Sequence, residues 1–368
     1  MRIFVAGASG VVGRTLVPML VRAGHAVTGT TRTVGKVESL RAAGAEPVVV
    51  DAFDRDALID AVTKAKPDVV VHQLTALSGP ANLRRFDRFF AETNRLRSEA
   101  TDHLLAGAHA AGSRRFVVQS YTGWTNERTG GPVKNEGDPL DPNPTAISRD
   151  VVAVQRRMER TVTTAGDIEG IVLRYGNFYG PATALGAGGE LLEMVRKRRL
   201  PVVGGGTGIW SHIHIDDVAR AAVIAIEGAA PGIYNIVDDD PAPVHEWLPY
   251  LADAIGAKPP LRLPTWLARP MLGEQGVSLM TAIRGSSNAK AKQHLGWEPG
   301  YPSWRQGFRE GLGGWRLGRR SARVQAPRSC HPRRSVTSRA LPVARRRTEQ
   351  HYHPDGPVTK AFNTISWK

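Results

Sequence analysis

Three glycines spaced three residues apart stand directly behind the apolar run Met1-Arg2-Ile3-Phe4-Val5-Ala6: Gly7, Gly10 and Gly13, within Gly7-Ala8-Ser9-Gly10-Val11-Val12-Gly13. Helical apolar periodicity starts at once, at Val11, Val12, Leu16, Met19 and Leu20. A strand that ends in a glycine turn and feeds a helix makes an anion cradle. The first helical N–H groups and the positive end of the helix dipole converge where no side chain stands. Gly7 permits the turn, Gly10 lets the backbone approach a diphosphate, and Gly13 lets the helix lie close to the strand. Ser9, Val11 and Val12 fall on the same loop. The spacing is GxxGxxG rather than GxGxxG, and a helix-start turn without a ligand is the competing reading of these residues alone.

A second set of residues carries proton chemistry. Ser120 and Tyr121 follow the apolar run Arg115–Gln119. A serine hydroxyl there can polarise a carbonyl oxygen, and a phenol can deliver a proton; the competing reading is that Tyr121 and Trp124 only wall a pocket. His212 and His214 alternate as on a strand and point the same way, but no carboxylate or third ligand stands at metal spacing, so no metal is expected.

These residues need a scaffold, and the pattern supplies one. Strand and helix signals alternate over about 240 residues, which predicts a parallel sheet covered on both faces. Strands are expected at Ile3–Ala6, Ala26–Thr31, Glu46–Val50, Asp68–Leu74, Arg115–Gln119 and Gly170–Arg174. Helices are expected at Val37–Ala43, Arg55–Ala65 and Phe86–Ala111. After Tyr175 loops rich in Gly and Pro intervene, followed by a helix at Asp216–Glu227, a strand at Gly232–Val237 and a helix near Val244–Ile255. The expected organisation is a dinucleotide-binding core over 1–175 and a smaller lobe over 176–314, interleaved with the core and packed on the carboxyl edge of the sheet. A basic tail over 315–368 completes the chain.

The 368-residue chain is 41% hydrophobic and has one cysteine, Cys330, so it can form no internal disulfide. No stretch reaches the roughly 18 to 20 apolar residues of a membrane span, and no leader pattern precedes the first strand. A cytoplasmic protein is expected. The net charge of +15 suggests nucleic acid, but its distribution argues otherwise. From Trp315 to Lys368 there are 13 Lys+Arg and 2 Asp+Glu, which leaves 36 basic and 32 acidic residues elsewhere. The basicity belongs to an Arg-, Ser- and Pro-rich tail without apolar period, which predicts disorder there. Nucleic acid is expected only through that tail, and a homodimer is left open.

Several further segments, in order, resemble the extended short-chain dehydrogenase/reductase family, the NAD(P)-dependent epimerase/dehydratase group. Asp51-Ala52 follows the third strand, and His72-Gln73-Leu74-Thr75 resembles the family's His-Leu-Ala-Ala. Asn94 is expected to open a helix as the family's Asn does, and Gln119-Ser120 ends the fifth strand. Leu173-Arg174-Tyr175-Gly176-Asn177-Phe178-Tyr179-Gly180-Pro181 resembles LRxxNxYGP. Ile213-His214-Ile215-Asp216-Asp217-Val218-Ala219 resembles IHVDDVA. Gly232-Ile233-Tyr234-Asn235-Ile236 and Leu295-Gly296-Trp297-Glu298-Pro299 complete the order. The resemblance covers residues 1 to about 314 and implies an α/β fold, a Rossmann-type doubly wound parallel sheet with a smaller C-terminal substrate lobe. It implies Asp51, Ala52, Leu74, Thr75 and Asn94 as cofactor-binding residues beside the glycine loop, and Asn177 and Tyr179 beside a small-molecule substrate. Between Gly24 and Val37 there is no Asp or Glu to hold a ribose 2′-hydroxyl, whereas Arg32 and Lys36 suit a 2′-phosphate. NADP is therefore preferred, with NAD as the alternative.

Two departures shape the expected chemistry. The family's Tyr-x-x-x-Lys pair is missing: there is no tyrosine between Thr122 and Arg174, and Lys134 is the only lysine. One register puts Thr145 and Arg149 in the two places, and another, anchored on Glu159, puts Val151 and Gln155 there. Trp210 stands where sugar-nucleotide members carry an arginine, and it offers stacking area instead of a diphosphate clamp. The expected function is an NADP-dependent oxidoreductase acting on a small carbonyl-type substrate without the usual pair, with Ser120 and Tyr121 as candidate catalytic residues. A dinucleotide-binding sensor without turnover is the alternative, and a sugar-nucleotide epimerase or dehydratase the third reading. Deleting residues 315–368 should leave the melting temperature and dinucleotide affinity nearly unchanged; a large loss in thermal unfolding would show that the tail docks.

Overall fold

Seven strands form one parallel sheet in the computed structural model: β1 Arg2–Ala6, β2 Ala26–Thr31, β3 Glu46–Val49, β4 Val69–His72, β5 Arg115–Tyr121, β6 Glu169–Tyr175 and β7 Gly232–Ile236. The spatial order is β3-β2-β1-β4-β5-β6-β7. Residues 1–77 and 83–313 are described, within a unit that spans Met1–Leu317. The basic tail, and the expectation placed on it, lies outside the described residues.

Alternation along each strand divides the apolar side chains between two layers. Ile3, Val5, Val69, Val71, Val117, Ile171 and Leu173 pack on one face, against α1 (Val11–Arg22). Phe4, Ala6, Val70, Phe116, Val118 and Val172 pack on the other. There they meet α3 (Arg55–Ala65), which follows α2 (Val37–Ala42). The strand order reverses between β1 and β4, which opens a crevice outside their carboxyl ends, where ligands sit in open α/β sheets.

Two glycines fix the strand–helix junction. Gly7 has φ +90°, and a Cβ there would lie 2.8 Å from the backbone of Gln73. A Cβ on Gly13 would fall 2.3 Å from the Ala8 carbonyl oxygen, so α1 can pack this closely only with glycine at that position.

The segment Phe86–Ala111, expected as one helix, is interrupted. It forms α4 (Phe86–Arg95), a π-helical turn at Leu96–Ala100 and α5 (Thr101–Ala111). Hydrophobic spacing cannot reveal a single wide turn, which is a frequent feature of functional sites. Next comes α6 (Arg149–Thr163), followed by α7 (Glu190–Arg196) and α8 (Ile215–Glu227). Helices α9 (Val244–Ala254), α10 (Thr265–Thr281), α11 (Ala289–Leu295) and α12 (Trp304–Glu310) complete the order.

Residues beyond 175 contribute both to the sheet and to a second core. Strand β7 pairs in parallel with β6, and α8 packs against α1. Tyr179, Leu192, Val202, Trp247, Leu251, Trp304 and Phe308 form the separate lobe core. Asp217, fully buried on α8, accepts hydrogen bonds from the amides of Gly300 (2.7 Å) and Tyr301 (3.0 Å) and so fastens a lobe loop to the core. Gly13→Ala should destabilise the fold by about 1–3 kcal/mol, because the intruding carbon meets backbone that cannot move aside. Chemical denaturation would check this, and an unchanged midpoint would show that the junction relaxes.

Candidate cofactor cleft and active site

A cleft of about 490 Å³ opens at the strand-order reversal. Its floor is the glycine turn. Gly10 is the N-cap of α1, extended in backbone, with no side-chain cap and no acidic residue in the first turn. The leading N–H groups of α1 are thus left for a ligand, and an anion there would interact favourably with the helix dipole. Gly7, Ser9, Gly10, Val11 and Val12 line this region. Toward one end stand Arg32, Lys36, Asp51 and Ala52, with Phe53 beneath the guanidinium of Arg95 at 4.1 Å. Leu74 and Thr75 line the opposite wall. This cradle fits a dinucleotide: bare backbone for the diphosphate, an apolar slot between Ala52, Phe53 and Leu58, and cations at the rim. Two of the expected cofactor residues stand outside the cleft. Gly13 packs on Ala8 as described. Asn94, expected to open a helix, instead stands in the last turn of α4 and does not line the cleft, its buried side-chain oxygen without a hydrogen-bond partner.

The other end of the cleft is aromatic. Phe90, Tyr121, Trp124, Tyr175, Phe178 and Trp210 line it together with Gln119, Thr122 and Asn177. Trp210 is oriented by its indole N–H, which donates to the Leu279 carbonyl at 2.9 Å. Asn177 donates to the Ser211 carbonyl at 3.1 Å. Tyr179, expected beside the substrate, is fully buried in the lobe core among His214, Tyr301 and Phe308 and does not reach the cleft.

Ser120 and Tyr121 are adjacent on β5 and therefore face opposite sides. Ser120 is fully buried, points away from the cleft and donates to Glu159 Oε1 at 2.6 Å. Glu159 in turn accepts two bonds from Arg174, at 2.9 and 2.6 Å, and one from Gln155 Nε2 at 3.0 Å. The Ser120 proton is committed to this network. Tyr121 lines the cleft with its ring, while its hydroxyl is covered and has no protein partner. Burial pushes the phenol up to about 12, although a nearby cation opposes the shift.

That cation is Arg97, which the sequence reading did not single out. It sits on the π-helical turn, 1% exposed, with the guanidinium carbon 3.4 Å from the centroid of the Tyr121 ring. None of its three side-chain nitrogens has a hydrogen-bond partner. Burial lowers its pKa, with the Tyr121 hydroxyl and Glu159 opposing. No sequence motif flags Arg97; the π turn sets the face on which it falls.

Both registers for the missing Tyr/Lys pair can now be placed. Thr145 precedes α6 and bonds to Ser148 and Gln275, and Arg149 is exposed. Val151 and Gln155 lie on the buried face of α6, where Val151 packs with Phe86 and Phe90 and Gln155 donates to the Tyr121 carbonyl at 2.8 Å. Neither register offers a phenol or an ammonium. His72 is buried on β4. Its Nδ1 accepts from the Leu74 amide (3.2 Å), its Nε2 donates to the Leu96 carbonyl (3.3 Å), and burial lowers it to about 4, so it is neutral at physiological pH. His212 sits in a ring of Trp210, Trp247, Trp304 and Phe308, and His214 caps α8. Among the described residues no three potential ligands gather at metal spacing.

A sheet with this order and an uncapped glycine turn at its reversal define a dinucleotide-binding α/β protein, and comparison with known proteins is more specific. The chain belongs to the NAD dependent epimerase/dehydratase family, whose profile matches residues 3–237. It is 43% identical over 316 residues to a 3-diazoavenalumate denitrifying reductase from a Streptomyces species, covering 84% of this chain and 99% of that protein. Among solved structures, the Thermus thermophilus UDP-glucose 4-epimerase in complex with NAD is similar, with TM-score 0.65, 24% identity, and 85% and 98% of the two chains covered. A human epimerase family protein with NADPH has TM-score 0.66 and 22% identity, covering 85% and 99%. Among the described residues no helix is long and apolar enough to cross a membrane.

The buried Arg97 yields a prediction. Burying an unpaired ion costs several kcal/mol, and a desolvated cation–π contact returns about 2 kcal/mol. Arg97→Met should therefore keep or raise the melting temperature while moving the Tyr121 phenol still higher, as read by ultraviolet titration against Tyr121→Phe. A strongly lowered melting temperature would show that Arg97 holds the fold together.

Proposed function

We propose that this chain is a reductase that uses NADPH, with NADH as the alternative, to replace the diazo group of a flat, conjugated substrate by hydrogen, releasing dinitrogen. The observation that carries the reading is the cleft's chemistry. It has a cofactor cradle and an aromatic inner end, and among the described residues no phenol hydroxyl, imidazole or ammonium opens onto that end. Ser120 is bonded to Glu159, the Tyr121 hydroxyl is covered, and α6 presents Val151 and Gln155. Reduction of a ketone adds a hydride to carbon and needs a proton at oxygen. Reduction of a diazonium needs none: the hydride brings both electrons, the carbon–nitrogen bond breaks, a carbon–hydrogen bond forms and N₂ departs neutral. The Streptomyces relative, named for reductive loss of nitrogen from a diazo compound, supports the same choice.

The residues then have distinct tasks. Bound nicotinamide supplies the hydride. Gly7, Ser9, Gly10, Val11 and Val12 hold the diphosphate on uncapped amides, and Arg32 and Lys36 meet the 2′-phosphate. Phe90, Tyr121, Trp124 and Trp210 enclose a planar ring and keep water from the reacting carbon. Asn177 lies at the same end to hold a polar substituent.

Carbonyl reduction is the second reading, and Tyr121 is what favours it: its ring lines the cleft, and a change of χ1 would be needed to carry the phenol oxygen in. Two measurements separate them. Incubation with NADPH and a ¹⁵N-labelled aryl diazonium should give one N₂ per NADPH oxidised, while a panel of ketones is left unreduced; NADPH consumption with ketones and no N₂ would overturn the proposal. Tyr121→Phe should change diazo turnover by less than about tenfold, whereas a phenol acting as general acid would lose roughly 10²–10⁴ in kcat.

A further inference from the structure

Arg32, at the end of β2, already has a partner. Its Nη1 donates to Glu92 Oε1 on α4 at 2.6 Å, and both side chains line the cleft at its adenosine end. The side chains are 68% and 45% exposed, so the pair is screened by water and loosely held. Of the other charges at this end, Arg95 and Asp51 are already engaged, and Lys36 is a second cation. Arg95, on the same helix as Glu92, is tied to Glu99 by two bonds of 2.8 Å and lies over Phe53. Asp51 accepts from the Phe53 amide at 3.0 Å. Lys36 lines the cleft on the same side as Arg32.

We infer that Glu92 is a specificity-determining residue that sets the choice between NAD(H) and NADP(H) by competing for Arg32. A ribose 2′-hydroxyl is neutral and can donate to the Glu92 carboxylate with the ion pair intact. A 2′-phosphate is a dianion. It competes with Glu92 for the Arg32 guanidinium, whose Nη1 Glu92 holds, and it lies close to a carboxylate that repels it. Glu92 therefore weakens NADP(H) selectively, and the wild-type chain discriminates between the two cofactors less than Arg32 alone would allow. The inference rests on the reading that Arg32 meets the 2′-phosphate, and the test separates the two.

Calorimetric titration of NADP⁺ and NAD⁺ into wild type, Glu92→Gln and Arg32→Gln needs no turnover. Removing one negative charge a few ångströms from a dianion in a water-like dielectric should tighten NADP⁺ about tenfold in Glu92→Gln. The isosteric amide can still accept from a 2′-hydroxyl, so NAD⁺ should move by less than about threefold. The gain for NADP⁺ should shrink at about 0.5 M salt, because the effect is an exposed charge interaction. Glu92→Gln with an unchanged ratio of NADP⁺ to NAD⁺ affinity, while Arg32→Gln weakens NADP⁺, overturns the role of Glu92 and keeps that of Arg32. NADP⁺ affinity unchanged in Arg32→Gln overturns both.

Discussion

The uncapped first turn of α1 is the constraint on which the rest of the molecule depends. Helix starts are ordinarily closed by a Ser, Thr, Asp or Asn side chain. Here Gly10 leaves the leading amides open, and the fold has to deliver them to a place where an anion can arrive. It does so by pressing α1 onto β1 at Gly13, by turning the chain at Gly7 against Gln73, and by reversing the strand order beside that turn. The adenosine and aromatic ends of the cleft lie on either side of these amides, so both halves of the candidate site are measured from one anchor.

Behind the aromatic end lies an unusual distribution of charge. Glu159 and Arg174 neutralise each other through two short bonds and also orient Ser120 and Gln155. Arg97 remains as an additional buried cation, set over the Tyr121 ring with no hydrogen-bond partner. Burial works against its charge, and the Tyr121 hydroxyl and the Glu159 carboxylate work for it.

Much of this was legible in the sequence, and for physical reasons. The strands show as short β-branched apolar runs because both faces of a parallel sheet are covered. The glycine turn shows because no other residue tolerates the backbone at Gly7 or the contact at Gly13. Arg32, Lys36, Asp51, Ala52, Leu74 and Thr75 are near strand ends, which period and spacing locate well, and all six line the cleft. What was not legible depends on turns of side chains about those ends. Ser120 and Tyr121 differ by one residue, and the pleat sends one into the Glu159 network and the other to the cleft. Tyr179 belongs to a short strand, Asn177–Tyr179, that pairs with His212–His214 in the lobe, a long-range partnership that spacing does not encode. Arg97 and Glu92 are ordinary surface-helix residues by pattern; a π turn and a neighbouring strand make them otherwise.

The late arrival of β7 bears on how the chain reaches this structure. Strand β6 is complete at Tyr175, but its outer neighbour begins only at Gly232, after the chain has built the loops and helix α7 of the lobe. During synthesis, N-terminal first, the growing sheet therefore presents the apolar edge Ile171-Val172-Leu173 until residue 236 has left the ribosome. Unpaired strand edges of this kind template association with other chains. The stretch between Tyr175 and Gly232 is then more than a wall for a ligand: its length sets how much more chain must emerge before the sheet is sealed.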